Sequence, residues 1–209
     1  MTVQDASPKI FTGKLVRLAA FDPETFSQRA AVWNQNSEYQ QLLDSGPARL
    51  WTPKEMKDWL EKHLDELYGF SIHKLDDDEM IGMVDLSGID WVAGSAWVGI
   101  GIGNRDYWGK GYGTEAMRLI LDFGFGYLNL RRISLNVFGY NQRAMHSYQK
   151  CGFKEEGRLR QWMIRSGERH DLIYMGILRE EWEAVAASAP EQAAASENSI
   201  EVPVSERSE

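Results

Sequence analysis

Glycine occupies alternate positions in residues 108–114, which read Trp-Gly-Lys-Gly-Tyr-Gly-Thr. This segment follows an apolar run, Ala96–Ile102, that is predicted to be a central strand. After it, apolar side chains recur at helical spacing towards Leu128. Glycines allow a tight turn and a close approach to a ligand, and the free N–H groups of a helix start attract phosphate. The segment therefore predicts a strand–loop–helix unit suited to a phosphorylated ligand.

Two familiar phosphate-binding loops do not match this spacing. A Walker A loop has four residues between its glycines and ends in Gly-Lys-Ser/Thr. The dinucleotide fingerprint is Gly-x-Gly-x-x-Gly, whereas the pattern here is Gly-x-Gly-x-Gly. Taken alone, the segment is also compatible with a plain strand-to-helix turn that binds nothing.

Alternating and helical patterns along the rest of the chain predict a mixed α and β fold with a central mixed sheet flanked by helices. Helix starts are predicted at the caps Asp22 and Thr52, and further helices at about Gly111–Leu128 and Gln142–Cys151. Strands are predicted at Thr12–Ala19, Gly69–Lys74, Met80–Leu86, Ala96–Ile102, Arg132–Phe138, Phe153–Trp162 and His170–Leu178.

Composition sets the domain boundaries and excludes some classes of function. The 209 residues carry a formal net charge of -8, which argues against a general nucleic-acid binder. Ala, Ser, Glu and Pro dominate after residue 183, so we expect one domain over residues 10–183, a flexible segment 1–9 and a disordered acidic tail 184–209.

Neither a signal peptide nor an apolar stretch long enough to cross a bilayer is visible, so no membrane association and a cytoplasmic location are expected. The single cysteine, Cys151, precedes Gly152-Phe153 at a predicted helix end and is expected to be a buried structural residue. No metal site is expected. The acidic run Asp76–Glu79 lacks the spacing of a calcium loop and is predicted to be a hairpin turn.

A second motif lies in the predicted helix before Phe153. Asn141 is a good N-cap and Gly152 a good residue to end the helix. Tyr148 lies seven residues after Asn141, on the same helix face as Ala144. The caps have a purely structural explanation, but that explanation does not account for a polar tyrosine on this face.

Together the two motifs resemble the acetyl-CoA loop and the following tyrosine helix of the GNAT superfamily of N-acetyltransferases. The form of the loop, with the later Glu156-Gly157-Arg158, is similar to the RimJ/RimL-like branch, which includes ribosomal-protein N-terminal and spermidine N-acetyltransferases. The resemblance is strong over Ala96–Arg160 and implies the GNAT-like acyl-CoA N-acyltransferase fold. It implies acetyl transfer from acetyl-CoA, without a metal, directly to a primary amine.

The resemblance also implies roles for individual residues. Tyr148 would be the general acid that protonates the departing thiolate. The residues expected to bind the cofactor are the end of the central strand, the glycine loop and the helix cap, namely Gly101, Ile102, Gly103, Trp108, Gly109, Lys110, Gly111, Tyr112, Gly113, Thr114 and Asn141.

One departure from the family pattern leaves the general base unassigned. Many relatives carry Glu on the central strand where this chain has Trp97. The other candidates for a base are Asp85, His73, His146 and His170.

The sequence is compatible with several classes of acceptor amine. Deprotonating a lysine-like amine at pH 7 costs about 4–5 kcal/mol, against about 1 kcal/mol for an α-amine. The missing base thus favours a protein N-terminal α-amine or a water relay, while the acidic chain favours a polycation. A polyamine or an amine antibiotic is the alternative acceptor. A non-catalytic CoA-binding sensor and a homodimer are further alternatives.

Overall fold

A computed structural model of the chain describes residues 10–185 and 187. A seven-stranded mixed sheet forms its centre, with the strand order β1-β2-β3-β4-β5-β7-β6. The parallel pair is β4 with β5, and the other neighbours in the sheet are antiparallel. The strands are β1 Val16–Ala20, β2 Leu67–Lys74, β3 Met80–Asp90, β4 Ser95–Ile102, β5 Arg132–Phe138, β6 Lys154–Arg165 and β7 Glu168–Leu178.

The sheet is flanked by the α-helices α1 Pro23–Trp33, α2 Ser37–Leu43, α3 Pro53–His63, α4 Tyr112–Asp122 and α5 Gln142–Lys150. The predicted caps are confirmed. Asp22 accepts from the Thr25 N–H, Thr52 forms a capping box with Glu55, and Asn141 accepts from the Ala144 N–H. Short helical turns lie at Leu64–Glu66, Arg105–Tyr107 and Phe123–Tyr127. Residues 179–185 are α-helical.

Two apolar clusters cover the two faces of the sheet. On one face, α4 packs against β1, β3 and β4, and the fully buried Met117 and Ile120 lie in this larger cluster. On the other face, α1, α2 and α3 form a smaller cluster that includes Phe26, Trp33 and Tyr39. The second cluster places α2 beside the end of β4, next to the glycine loop.

The prediction of one continuous helix to Leu128 is wrong in detail. Helix α4 ends at Asp122, and Phe123–Tyr127 is a π-helix. Gly124 lies in this turn, and a Cβ on it would approach the Ile133 side chain to 2.7 Å. The absence of a side chain at Gly124 therefore lets the backbone of this turn lie against Ile133 of β5.

Sequence patterns also missed the short helix α2 and the length of β6, which continues to Arg165. The predicted end of the domain, residue 183, falls inside the helical segment 179–185. There the Trp182 indole donates to Asp122 at 2.9 Å and packs on Phe125. The predicted flexible segment 1–9 and most of the predicted tail lie outside the described residues. None of the helices in residues 10–185 and 187 has the length and hydropathy of a membrane-spanning segment.

Glu115, in the first turn of α4, fixes the chain that enters β1. Its carboxylate accepts from the backbone N–H groups of Lys14, Leu15 and Val16 at 2.9, 2.6 and 2.8 Å. This contact explains why β1 begins at Val16 rather than at Thr12 as predicted: residues 14–16 turn their N–H groups towards α4. The interaction joins the first strand of the sheet to the helix that carries the glycine loop.

Replacing Glu115 by alanine should therefore destabilise the whole domain. Removing one carboxylate that accepts three backbone N–H groups should lower the free energy of unfolding by about 2–3 kcal/mol. Urea denaturation of Glu115→Ala checks this, with Glu61→Ala, an exposed glutamate on α3, as the matched control. Equal midpoints for the two variants would contradict a structural role for this carboxylate.

Candidate active site

The two halves of the sheet separate where β4 meets β5. The strands pair over three residues, from Ser95 opposite Arg132 to Trp97 opposite Ser134. Beyond that point β4 continues to Ile102 and β5 to Phe138 without pairing to each other. The divergence leaves the backbone groups of β4 after Trp97 facing a gap instead of a neighbouring strand.

Two adjoining cavities occupy this region. The first has a volume of about 380 Å³ and lies between the end of β4, the glycine loop and α5. The second has a volume of about 290 Å³ and lies between β4 and the end of β5. Both are lined by Leu42, Leu43, Ile100, Asn141 and Tyr148. A ligand in each cavity would therefore meet the other beside these shared residues.

The first cavity brings together most of the residues that the sequence assigned to cofactor binding. They are Gly101, Ile102, Trp108, Gly109, Gly111, Gly113, Thr114 and Asn141. Gly103, Lys110 and Tyr112 are not among its lining residues. The Gly103 N–H donates to Ile81 at 2.8 Å, and a Cβ there would lie 2.0 Å from the Trp33 ring, so its lack of a side chain is required by packing.

The glycine loop has the conformation that its sequence demands. Gly109 and Gly111 have φ of 74° and 91°, in the left-handed region that favours glycine. The Trp108 indole donates to the Ile102 carbonyl at 2.7 Å, which fixes the loop to the end of β4. Gly111 is the N-cap of α4, and the first N–H groups of a helix have no acceptor within it. These N–H groups are therefore available to an anionic group in the first cavity.

Several lining residues were not predicted. Arg143 lies over the Trp108 ring at 3.7 Å, and Lys150 is seven residues further along α5, so both are on one helix face. This spacing was visible in the sequence. The contribution of α2, through Tyr39, Leu42 and Leu43, was signalled only by the cap residue Asn36, whose side chain accepts from two backbone N–H groups.

Tyr148 is partly buried and lines both cavities. Burial raises the pKa of its hydroxyl to about 12, and the Arg143 charge opposes this shift. The phenol therefore stays protonated at neutral pH and is able to donate a proton. Asn141, also on both cavities, uses its Oδ1 to cap α5, which leaves its amide N–H groups free of hydrogen bonds to the described residues.

Cys151 lies outside both cavities. It is buried, and its Sγ donates to the Thr114 carbonyl at 3.6 Å. Burial raises the pKa of the thiol to about 11, so it is not ionised at neutral pH. The predicted structural role of this cysteine agrees with its surroundings.

The four side chains that the sequence offers as general bases differ in their contacts and in their position relative to the cavities. His73 contacts the Ser71 hydroxyl and the Asp78 carbonyl, and His170 packs against the Tyr140 ring. His146 lines the first cavity. Asp85 is partly buried on β3, and burial raises the pKa of its carboxyl to about 6 while Ser87 opposes the shift.

Comparison with known proteins identifies the architecture. The acetyltransferase (GNAT) domain family matches residues 15–154. The chain belongs to the GNAT family. It is 32% identical over 126 residues to the putative ribosomal N-acetyltransferase YdaF of Bacillus subtilis, covering 60% of this chain and 68% of that protein. It is 33% identical over 142 residues to the spermidine N(1)-acetyltransferase of Vibrio cholerae, covering 61% of this chain and 82% of the relative.

A solved structure agrees with the sequence relatives. The spermidine N-acetyltransferase from Vibrio cholerae, in complex with CoA and spermine, superposes with a TM-score of 0.72 at 27% identity, covering 80% of this chain and 97% of that one. This chain is therefore an acetyl-CoA-dependent N-acetyltransferase with a GNAT fold. Over residues 10–185 and 187, no group of three or more His, Cys, Asp and Glu side chains could hold a metal ion.

A single methyl group on the cavity wall should weaken CoA binding. Gly113 lines the first cavity, and a Cβ on it would make an ordinary 3.5 Å contact with Ile102, so Gly113→Ala should fold normally. The methyl would occupy space next to the ligand, and we expect CoA affinity to fall about tenfold. Isothermal titration calorimetry with CoA measures this.

Gly126→Ala is the matched control for that variant. Its Cβ would meet nothing within 4 Å, and Gly126 is not among the cavity-lining residues. It should bind CoA like the wild type. Equal affinities for both variants would show that the wall at Gly113 does not contact CoA.

Proposed function

We propose that the acceptor is an amine with one positive charge and an apolar neighbour, as at the α-amino group of a protein or peptide. The observation that carries the proposal is the composition of the second cavity. None of its described lining residues is Asp or Glu, and the apolar walls include Trp97, Val98, Ile100 and Phe138. A polyamine carries several ammonium charges, and each needs a compensating partner when it is desolvated.

The proton balance of the reaction also favours an α-amine. An α-amino group has a pKa near 7.7–8.0, so roughly a tenth of it is unprotonated at pH 7. A lysine-like amine, with a pKa near 10.4, is almost fully charged at that pH. An enzyme whose β4 carries Trp97 in place of an acid gains most from an amine that deprotonates easily.

In the proposed reaction, the amine nitrogen in the second cavity attacks the thioester carbonyl held in the first. A C–N bond forms and the C–S bond breaks, and the Tyr148 hydroxyl supplies the proton that the thiolate takes up. The amide nitrogen loses its excess proton as Tyr148 is restored. Tyr148 suits this role because it borders both cavities and stays protonated.

The cofactor-binding roles are proposals of the same kind. We assign the pyrophosphate to the N–H groups around Gly109, Gly111 and Gly113, with Arg143 and Lys150 as the cationic side chains of the same cavity. Free backbone groups of β4 near Gly101 would pair with the amides of the pantetheine arm. A homodimer and a cytoplasmic location stay predictions of the sequence.

A polyamine is the second candidate acceptor. Relatives named as spermidine N(1)-acetyltransferases support it, from both Vibrio cholerae and Escherichia coli. The net charge of -8 would also attract a polycation.

An amine panel separates the two candidates. Release of free thiol from acetyl-CoA is followed with peptides that differ in their first residue, with spermidine, with spermine and with an aminoglycoside. We expect the highest kcat/KM with a peptide whose first side chain is apolar. A spermidine value well above every peptide would replace the α-amine by a polyamine, and no turnover with any amine would refute the proposed function.

Tyr148→Phe should impair turnover while leaving CoA binding intact. The ring and its packing on Phe153 are kept, and only the proton donor is lost, so we expect kcat to fall about 10²-fold or more. Turnover of the best panel amine and CoA affinity are measured in the same variant. Tyr127→Phe, at an exposed tyrosine outside both cavities, is the control. Full turnover would exclude the acid role, and a parallel loss of binding would make Tyr148 a structural residue.

A further inference from the structure

The acceptor ammonium must lose a proton before its nitrogen can attack, and the walls of the second cavity offer no carboxylate among their described residues. An acid lies on the neighbouring strand, beside a lining glycine. Asp85 of β3 is the direct cross-strand partner of Gly99 of β4. A Cβ on Gly99 would lie 2.7 Å from the Asp85 Oδ2, so the carboxyl occupies the space that a side chain at position 99 would fill.

This position puts the carboxyl on the same face of the sheet as Trp97. Residues 97 and 99 alternate with the core-facing Val98, so both point away from the larger apolar cluster. Gly99, Ser87 and Tyr148 are lining residues of the second cavity. Ser87 lies two residues after Asp85 on β3, so the two side chains are on the same face of the sheet. Because Gly99 has no side chain, the carboxyl of Asp85 on β3 extends over β4. It therefore lies on the face where β4 has Trp97 and no acid of its own.

Burial, and not an ion pair, dominates the electrostatic environment of Asp85. Among the described residues it forms no ion pair, and burial raises the pKa of its carboxyl to about 6, with the Ser87 hydroxyl acting in the opposite direction. Titratable groups on the same sheet face include His73 on β2, which bonds Ser71, Tyr174 on β7 against Trp97, and Tyr39 of α2 over Gly101. Arg132 of β5 is also on this face, where it is paired with Glu156 of β6. Tyr39 is buried, and its pKa is raised by that burial. No charged neighbour therefore holds Asp85 as a structural ion pair.

We propose that Asp85 is the proton acceptor for the acceptor amine and acts through the hydroxyl of Ser87. The inference rests on the proposed acetyl transfer. The ammonium N–H proton passes to the Ser87 oxygen as the Ser87 proton passes to the Asp85 carboxylate, which leaves a neutral amine and a neutral carboxyl. After the acetyl group has moved to nitrogen, the carboxyl returns its proton to solvent, so one proton is released for each ammonium consumed.

The pH dependence of kcat/KM distinguishes this role from a structural one. In the wild type, the reactive pair is ionised Asp85 with the ammonium form of the amine. Its kcat/KM should rise up to a pH of about 6 and then stay level until the amine itself titrates. In Asp85→Asn only the free amine can react, so log kcat/KM should climb with a slope of one up to the pKa of the amine. For an α-amine this is a loss of about 20-fold at pH 6.5.

The assay uses the full chain and the best amine of the panel. CoA affinity of Asp85→Asn should equal that of the wild type, because Asp85 is not a lining residue of the first cavity. The thermal midpoint at pH 7.5 should be equal or higher, since the variant removes a charge whose ionised form is disfavoured by burial. Asp122→Asn is the matched control: the pKa of Asp122 is also raised by burial, but it lies outside both cavities and accepts from Trp182.

Ser87→Ala tests the same route with a smaller change. It should lower the level part of the profile about tenfold without changing CoA affinity. A wild-type profile in Asp85→Asn, or a uniform loss at every pH with the shape unchanged, would overturn the proposal. If Asp85→Asn does not fold, an unchanged profile and rate in Ser87→Ala would overturn it. An inactive wild type would instead refute the proposed function.

Discussion

The early end of the parallel pairing between β4 and β5 is the constraint on which the site depends. After three paired residues the strands diverge, and the sheet becomes two antiparallel halves with a gap between them. Unpaired backbone in a sheet centre must be satisfied by something else, so such a gap favours a ligand with amide groups of its own. Here the gap is bordered by α2 and α5, whose side chains Leu43 and Tyr148 line both cavities.

Polar contacts tie the two halves together across the gap. The Tyr140 hydroxyl, after β5, donates to the Gln41 carbonyl of α2. Arg165, at the end of β6, donates to the Asp44 and Gly46 carbonyls in the loop that follows α2. Both contacts join the half made of β5, β7 and β6 to the loop and helix on the other side.

Local chemistry explains how much of this structure is predictable from the sequence. The caps at Asp22, Thr52 and Asn141 follow from short-range rules and are found as expected. The glycine loop also lies at a strand-to-helix junction, while the cofactor-binding roles and the acid role of Tyr148 stay predictions. The contribution of α2 could not be predicted in the same way, because a seven-residue helix has too short an apolar pattern to stand out. The juxtaposition of Asp85 with Gly99 depends on strand register, which no local pattern specifies.

The central claim is that cofactor and acceptor occupy adjoining cavities and meet at Tyr148, so that the acetyl group passes directly to the amine. Initial velocities of thiol release, with acetyl-CoA and the amine both varied, test this most directly. A ternary complex predicts double-reciprocal lines that intersect and no acetylated enzyme after incubation with acetyl-CoA alone. Parallel lines, together with a stable acetyl-enzyme detected by mass spectrometry, would contradict the account.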